Sequence, residues 1–447
     1  MALLSVAVIP AERPEAQAPM PPNILLIVTD DQPVQSLKVM PKTTRLIRDG
    51  GINFKNAMVP TPLCCPSRAS IMTGRYAHNH GVRRQNSLNL DQSTTIQRYL
   101  HDAGYRTAAV GKFLNQFRDD SRNPLSPDHF DRWAIMRTKN LPYWDFPLND
   151  MGEIRIEPSY STTFIANRTL DFLTEFDELN DEAPWYAWVG FQAPHLPTDP
   201  EPKYASAPVP GWRPPPSVRE KDRRDKPPWV RMVHHTPSQG EALRTKMFRT
   251  LMSVDDQVAR FMNKLEVLGE ADNTIVVFTS DNGYLLSDHG WKEKRVPYRN
   301  SVRVPLYVRW PAQFPAGEVN TSLVSNIDLA PMFLEAAGVP LPVFPPMDGR
   351  SPFTNPPRER LHIEYFKNVL KVPTWRATVR PDSYYIESYD ETGARIFEEL
   401  YRLDEDPWML RNVLHDGVQD NDPDPVKGLE LHLELLRDQH CAGVTCP

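Results

Sequence analysis

Two apolar runs dominate the hydropathy pattern of this chain. They are Asn23-Ile24-Leu25-Leu26-Ile27-Val28 and Thr274-Ile275-Val276-Val277-Phe278-Thr279. Both are nearly continuous rather than alternating, as expected of strands buried on both faces of a parallel sheet. Both end in a hydroxyl residue followed by two oxygen-bearing side chains: Thr29-Asp30-Asp31 in the first, Ser280-Asp281-Asn282 in the second. If the two strands are neighbours, these four side chains meet at the carboxyl edge of the sheet, where α/β folds place their sites.

Further elements alternate in the same manner. Pro41 to Arg48 reads as a helix closed by Gly50-Gly51, and Ile52 to Ala57 as a strand. Ser93 is placed to cap a helix through His101. Arg106 to Val110 reads as a strand presenting Gly111-Lys112-Phe113-Leu114-Asn115. Residues 118–160 have weak periodicity and read as an insertion. Ser161 to Phe176 is predicted helical, and Trp185 to Phe191 is a third buried strand ending in Gln192-Ala193-Pro194-His195-Leu196-Pro197. A proline-stiffened loop region runs to about residue 238, and its charged run Arg219 to Arg231 reads either as a solvated face or as a substrate-facing loop. Glu241 to Leu268 is the longest helical stretch, ending at Gly269. After a strand at Leu306 to Arg309 and a helix at Leu329 to Ala337, composition shifts near Pro345–Pro357. Four short strands (Leu361–Tyr365, Trp375–Val379, Tyr384–Ser388, Ile396–Leu403) then follow without intervening helices, and a helix spans Val426 to Arg437. Strands in succession argue for an antiparallel sheet in a smaller subdomain. The expected division is a leader over 1–20, a catalytic domain over 21–355 and a C-terminal α+β subdomain over 356–447. The fold class is α/β: a large mixed, mostly parallel sheet sandwiched by helices, with a smaller antiparallel sheet plus helix.

With 447 residues, 40% apolar and 24% charged, the chain has material for a large core. A net charge of -6 and a pI near 6.1 argue against nucleic acid as a partner. No run approaches the ~20 apolar residues of a membrane span. Residues 1–9 are apolar but short, and an A-x-A-like segment ends near Ala18. This reads as a signal remnant or as an inconsequential leader. Cys441 and Cys446 are placed to close a small loop by a disulfide, which would imply an oxidising compartment. The sequons at Asn167 and Asn320 carry no weight, since chance produces such triplets often.

Three carboxylates and an amide, with no Cys or His among them, describe a hard-cation site suited to Ca²⁺, with Mg²⁺ as the alternative. An Asp after a strand is also a common helix cap; the doubled occurrence favours metal. The other chemistry lies in Thr61-Pro62-Leu63-Cys64-Cys65-Pro66-Ser67-Arg68-Ala69-Ser70-Ile71-Met72-Thr73-Gly74-Arg75. Ala69 to Thr73 reads as a short helix closed by Gly74, with Pro66 suited to its first turn. A side chain at such a helix start meets free N–H groups, which favour an anion. Arg68 adds a planar cation suited to sulfate or phosphate.

Cys64-x-Pro66-Ser67-Arg68, running on to Thr73-Gly74-Arg75, resembles the signature of the type I sulfatases, a family of alkaline-phosphatase-like fold. The resemblance covers roughly residues 22–415. It implies that Cys64 is oxidised to formylglycine by a formylglycine-generating enzyme, and that the aldehyde hydrate is the nucleophile. It also implies one Ca²⁺ held by Asp30, Asp31, Asp281, Asn282 and the oxygen at residue 64. Arg68, Lys112 and Lys294 become the cations for the sulfuryl oxygens, and His195 the acid for the leaving alcohol. Asn115 and His289 become substrate-pocket residues. In the implied mechanism the hydrate attacks sulfur in line while His195 protonates the departing oxygen, and the sulfated intermediate then collapses to aldehyde and sulfate. An ordinary serine-type ester could not collapse that way.

The chain departs from the commonest pattern at Lys112-Phe113-Leu114, where many members have Lys-x-His, so the base for sulfate release stays open. That form, the Cys64-Cys65 doublet and Tyr76-x-His78-Asn79-His80 resemble the N-acetylglucosamine-6-sulfatase and heparan sulfate sulfatase branch. Arg299 stands where an acidic residue is usual. The expected substrate is a sulfated small molecule or glycan, and the expected location is secreted, periplasmic or lysosomal. Two rival readings are a phosphodiester or phosphonate monoester hydrolase of the same superfamily and a non-catalytic homologue that binds sulfated glycans.

Overall fold

The computed structural model describes residues 20–117, 126–137, 142–179, 181–369 and 371–447. The expected leader, but for Met20, lies outside them. The first eight strands of the large sheet are β1 (Asn23–Thr29), β2 (Ile52–Met58), β3 (Arg106–Gly111), β4 (Arg132–Met136), β5 (Phe146–Asp150), β6 (Glu153–Glu157), β7 (Trp185–Gly190) and β8 (Thr274–Ser280). Leu306–Arg309 and Glu318–Ser325 complete the ten. From one edge the order is Glu318–Ser325, β2, Leu306–Arg309, β8, β1, β7, β3, β4, β5, β6. The centre, β8-β1-β7-β3-β4, is parallel throughout, while Leu306–Arg309 runs antiparallel to both its neighbours.

Alternation along β1 explains its unbroken hydrophobicity. Leu25 and Ile27 enter a core shared with the helices Ser161–Glu178 and Pro237–Leu268. Ile24, Leu26 and Val28 face the opposite core, with Ala69 and Met72 of the helix Cys64–Thr73 and Leu334 of the helix Leu329–Ala336. The four strands Leu361–Tyr365, Thr374–Val379, Ser383–Tyr389 and Arg395–Arg402 form a separate antiparallel sheet, followed by the helix Pro425–Asp438. One face of this sheet shares a core with Leu63, Trp229, Trp291 and Tyr298. It therefore packs directly behind the segments that carry the site.

The fold corrects several local expectations. Where described, residues 118–160 are not an insertion hung on the sheet: β4, β5 and β6 extend the sheet itself. The Cys64 helix begins at Cys64 rather than Ala69. The long helix starts at Pro237, because Thr236 and Gln239 form a capping box ahead of it. The Pro41–Arg48 helix relaxes after Thr43 into a wider π-type turn. Cys441 and Cys446 are bridged, whereas Cys64 and Cys65 are free thiols. No helix among the described residues is long and apolar enough to cross a membrane.

Candidate active site

Strand register assembles the acidic cluster. β1 and β8 are parallel neighbours with Thr29 opposite Ser280, so the residues that follow each strand emerge side by side. The Asp281 N–H donates to the Thr29 carbonyl (3.1 Å), and the Asp31 N–H to Asp281 Oδ1 (3.2 Å). Asp31 takes φ 66°, a left-handed conformation that Asp tolerates better than most residues. The Asn282 amide donates to Asp31 Oδ1 at 2.7 Å. Asp30, Asp31, Asp281 and Cys64 bring one ligand atom each within 4.8 Å of one another, all buried.

The Cys64–Thr73 helix delivers the sulfur to this cluster. Leu63 is extended and serves as N-cap; Gly74, at φ 65°, ends the helix in the left-handed conformation that glycine adopts without strain. All ten helical residues are buried. Cys65 N–H is taken by Gln85 Oε1 (2.9 Å), and Ser67 Oγ accepts from Asn326 (2.7 Å), fixing the helix from both sides. Cys64 Sγ lies 3.3 Å from Asp30 Oδ1 and 2.7 Å from Lys294 Nζ. Burial first, and Asp30 next, push the thiol up to about 12 against the opposing pull of Lys112 and Lys294. The pocket thus holds a neutral thiol, which suits a precursor better than a thiolate nucleophile.

Three cations face the three carboxylates. Arg68, one turn beyond Cys64, gives its Nε to Asp281 (2.7 Å) and its Nη1 to the Lys112 carbonyl (2.7 Å). Lys112 pairs with Asp30, and Lys294 with Asp31. Burial pushes Asp30 up, but Lys112, His195, Lys294 and Arg68 together hold it well below the usual carboxylate range. Among the described residues of the cluster, Arg68 Nη2 and Asn282 Oδ1 are buried without a protein partner. Buried polar atoms are rarely left unsatisfied. An orphaned guanidinium N–H invites an anion and an orphaned amide oxygen a cation. An all-oxygen donor set suits a hard divalent ion, so the residues present fit the expected Ca²⁺.

His195 follows β7 and is the most exposed member, its side chain 29% accessible. Its Nδ1 contacts the Leu196 carbonyl at 2.6 Å. A carbonyl can only accept, so that nitrogen carries the proton, and Nε2, 3.8 Å from Asp31, is the atom turned to the cluster. The His195 carbonyl accepts from the Tyr143 hydroxyl (2.9 Å). Tyr143 escaped sequence reasoning because it sits where no periodicity marks a strand; its only signal is the adjacent Pro142-Tyr143-Trp144 cluster. Asn115 is half-buried beside the helix start, its carbonyl accepting from the Ser87 hydroxyl (3.0 Å). His289 is buried, its Nδ1 2.8 Å from Glu220 and its ring 4.2 Å from that of Tyr298. It belongs to a packed polar layer rather than to the carboxylate cluster. In the charged run before it, Lys226 is wholly buried and pairs with Glu220 and Asp225, so the run is not simply a solvated face.

The Lys112 main chain is clamped. Its N–H donates to the Gly190 carbonyl (2.8 Å), and its carbonyl accepts from Arg68 and from Trp188 Nε1 (3.1 Å). A Cβ on Gly190 would overlap that same carbonyl. Gly190→Ala is therefore expected to cost about 1–3 kcal/mol in stability, as overpacking does, and to lower kcat/KM by moving Lys112. Thermal melts and steady-state kinetics check both; an unchanged Tm would contradict the clamp.

Residues 22–339 match the sulfatase family model, and residues 287–438 match the model described as N-sulphoglucosamine sulphohydrolase, C-terminal. The chain is 36% identical over 410 residues to the extracellular sulfatase SULF-1 homolog of Drosophila melanogaster, a match covering 86% of this chain and 34% of that protein. The chain likewise spans 48% of the extracellular sulfatase Sulf-1 homolog of Caenorhabditis elegans. It is 30% identical to human N-acetylglucosamine-6-sulfatase, over 95% of this chain and 86% of that one. Among solved structures, a complex with D-glucosamine-2-N,6-O-disulfate as substrate superposes with a TM-score of 0.73 at 24% identity, covering 94% of this chain and 97% of the other. The phosphonate monoester hydrolase of Agrobacterium radiobacter gives 0.73 at 20%, covering 94% and 96%. At such identities the structural likeness speaks for the fold alone. The family match spans most of the chain: this protein belongs to the sulfatase family.

Proposed function

We propose that the protein is a sulfuric ester hydrolase acting on sulfated sugars, with 6-O-sulfated glucosamine units as the first substrates to try. The observation that carries this reading is the meeting of Cys64, Arg68, Lys112 and Lys294 with Asp30, Asp31, Asp281 and Asn282 at one sheet edge. The substrate class follows the printed names of the relatives. The catalytic part is assigned to residues 21–355 and the C-terminal part to 356–447. The disulfide and the extracellular relatives support work in an oxidising compartment.

Asp30, Asp31, Asp281 and Asn282 would hold Ca²⁺ together with the oxygen at residue 64; the ion supplies charge that polarises that oxygen and draws in an anionic ester. Formylglycine hydrate at residue 64 supplies a nucleophile that can revert to aldehyde, so that release of sulfate needs no second hydrolysis. Arg68, Lys112 and Lys294 bind the sulfuryl oxygens and stabilise charge as it develops. The three carboxylates balance these three cations, so a divalent ion leaves the site net positive and suited to an anion. His195 gives a proton to the leaving oxygen, oriented by Leu196 and Tyr143. Asn115 and His289 remain proposed pocket residues, His289 acting through the Glu220 layer.

The mass of the peptide containing residue 64, measured on active enzyme, tests the reading. An aldehyde-bearing side chain with turnover of glucosamine 6-sulfate or an aryl sulfate supports it. Full conversion with turnover only of phosphonate or phosphate esters, or with glycan binding and no turnover, overturns it. Chelation is a separate check. Ligand bound at about 100 times its Kd stabilises by roughly 2.7 kcal/mol, so EGTA should lower Tm and activity together and Ca²⁺ should restore both. An unchanged Tm would speak against the hard-cation site.

A further inference from the structure

We infer that His78, His362 and Glu364 form a second metal site, suited to Zn²⁺ and separate from the carboxylate cluster at the sheet edge. His78 lies in the turn Ala77–His80 shortly after the nucleophile helix, while His362 and Glu364 stand two residues apart on the strand Leu361–Tyr365 and so share a face. One ligand atom from each lies within 4.8 Å of the other two. Glu364 Oε2 is 3.0 Å from His78 Nδ1 and 3.7 Å from His362 Nε2. Tetrahedral zinc with bonds of ~2.0–2.1 Å holds its ligand atoms roughly 3.3 Å apart, and the two separations bracket that spacing.

Two features of the geometry point to a ligand here. His362 is completely buried, yet its Nδ1 has no hydrogen-bond partner among the described residues and its Nε2 meets Glu364 only at 3.7 Å; a well-satisfied core histidine does not look like this. The second nitrogen of His78, Nε2, lies 3.1 Å from the Cys441 carbonyl. A metal-ligating imidazole is usually steadied in just this manner, by donating its other N–H to a carbonyl or carboxylate. Two imidazoles and one carboxylate form a borderline donor set that fits zinc better than calcium.

Such an ion would bolt the segment behind the nucleophile helix to the small sheet and, through Cys441, to the disulfide loop at the C-terminus. The site is independent of the hydrolytic reading and can be tested without any substrate. Untagged, full-length protein is stripped of loosely held metal and titrated with Zn²⁺ by calorimetry, then with Co²⁺ by visible absorption. One high-affinity equivalent of Zn²⁺, displaceable by excess Ca²⁺ neither in the wild type nor in Asp281→Asn, is the expected result. So is a tetrahedral Co²⁺ spectrum that His362→Gln abolishes. Absence of a stoichiometric Zn²⁺ site in the folded wild type would overturn the assignment, as would a Co²⁺ spectrum unchanged in His362→Gln. Circular dichroism establishes whether that variant is folded; should it not be, the wild-type stoichiometry decides alone.

Discussion

Cys64→Ala is expected to leave a folded protein whose turnover of sulfate esters is lower by about 10⁴- to 10⁶-fold, the scale seen when a covalent nucleophile is removed. The side chain is small and the helix around it is fixed by Gln85, Asn326 and the Gly74 cap, so loss of the thiol should shift Tm little. Cys64→Ser is the more informative partner. A serine hydroxyl at this position keeps the approach to Arg68 and Lys294 but forms an ordinary sulfate ester, which has no adjacent hydroxyl through which to collapse. The expected outcome is a single slow turnover followed by arrest, with the alcohol released and the chain heavier by one sulfuryl (SO3) group. Intact-mass spectrometry and burst kinetics read this directly. Steady turnover by either variant would remove residue 64 from the mechanism.

The second large effect belongs to Arg68. Its guanidinium is fully buried, joined to Asp281 and to the Lys112 carbonyl, with Nη2 lacking a protein partner and proposed to meet the sulfuryl oxygens. Loss of one well-placed donor of developing charge costs ~10²–10³ in rate, and Arg68→Ala should fall by at least that in kcat/KM. Breaking a buried ion pair by deleting one partner also destabilises by about 3–5 kcal/mol, because the other charge stays buried alone. Here the orphan is Asp281, a proposed Ca²⁺ ligand. The stability loss should therefore be larger in EGTA than in Ca²⁺, a double difference that melting curves can measure. Arg68→Lys should recover part of the stability but little of the rate, since an ammonium cannot bridge Asp281, the carbonyl and an oxyanion with a planar fork. Equal destabilisation with and without Ca²⁺ would separate Arg68 from the metal.

What the sequence disclosed, and what it hid, follows from how each element is buried. β1 and β8 announce themselves because both faces are covered, and their shared ending in oxygen-bearing residues gives away the acidic cluster. The Cys64 motif and Lys112 were legible for the same reason: each sits at a strand or helix end. β6 was missed because its apolar residues point the wrong way for pattern reading: Ile154 and Ile156 are exposed at a sheet edge. Glu318–Ser325 hid behind polar residues and a register shift between Asn320 and Leu323. Contacts made between loops left little trace. Tyr143 steadying His195 and Glu220 meeting His289 depend on loops whose paths no local propensity sets.

The burial of the Cys64 helix bears on when the proposed conversion of residue 64 takes place. All ten residues from Cys64 to Thr73 are covered on every side, by the main sheet, by Asn326 and by the core behind Leu63. Once this chain has folded, no second protein can lay hold of the segment without tearing out the centre of the molecule. On the proposed reading, oxidation of Cys64 has to win a race against folding, and the converted fraction is settled during synthesis rather than afterwards. Adding the modifying enzyme to folded, unconverted protein should yield no aldehyde. Slowing the folding of the nascent chain should raise the converted fraction, making specific activity a record of kinetics as much as of sequence.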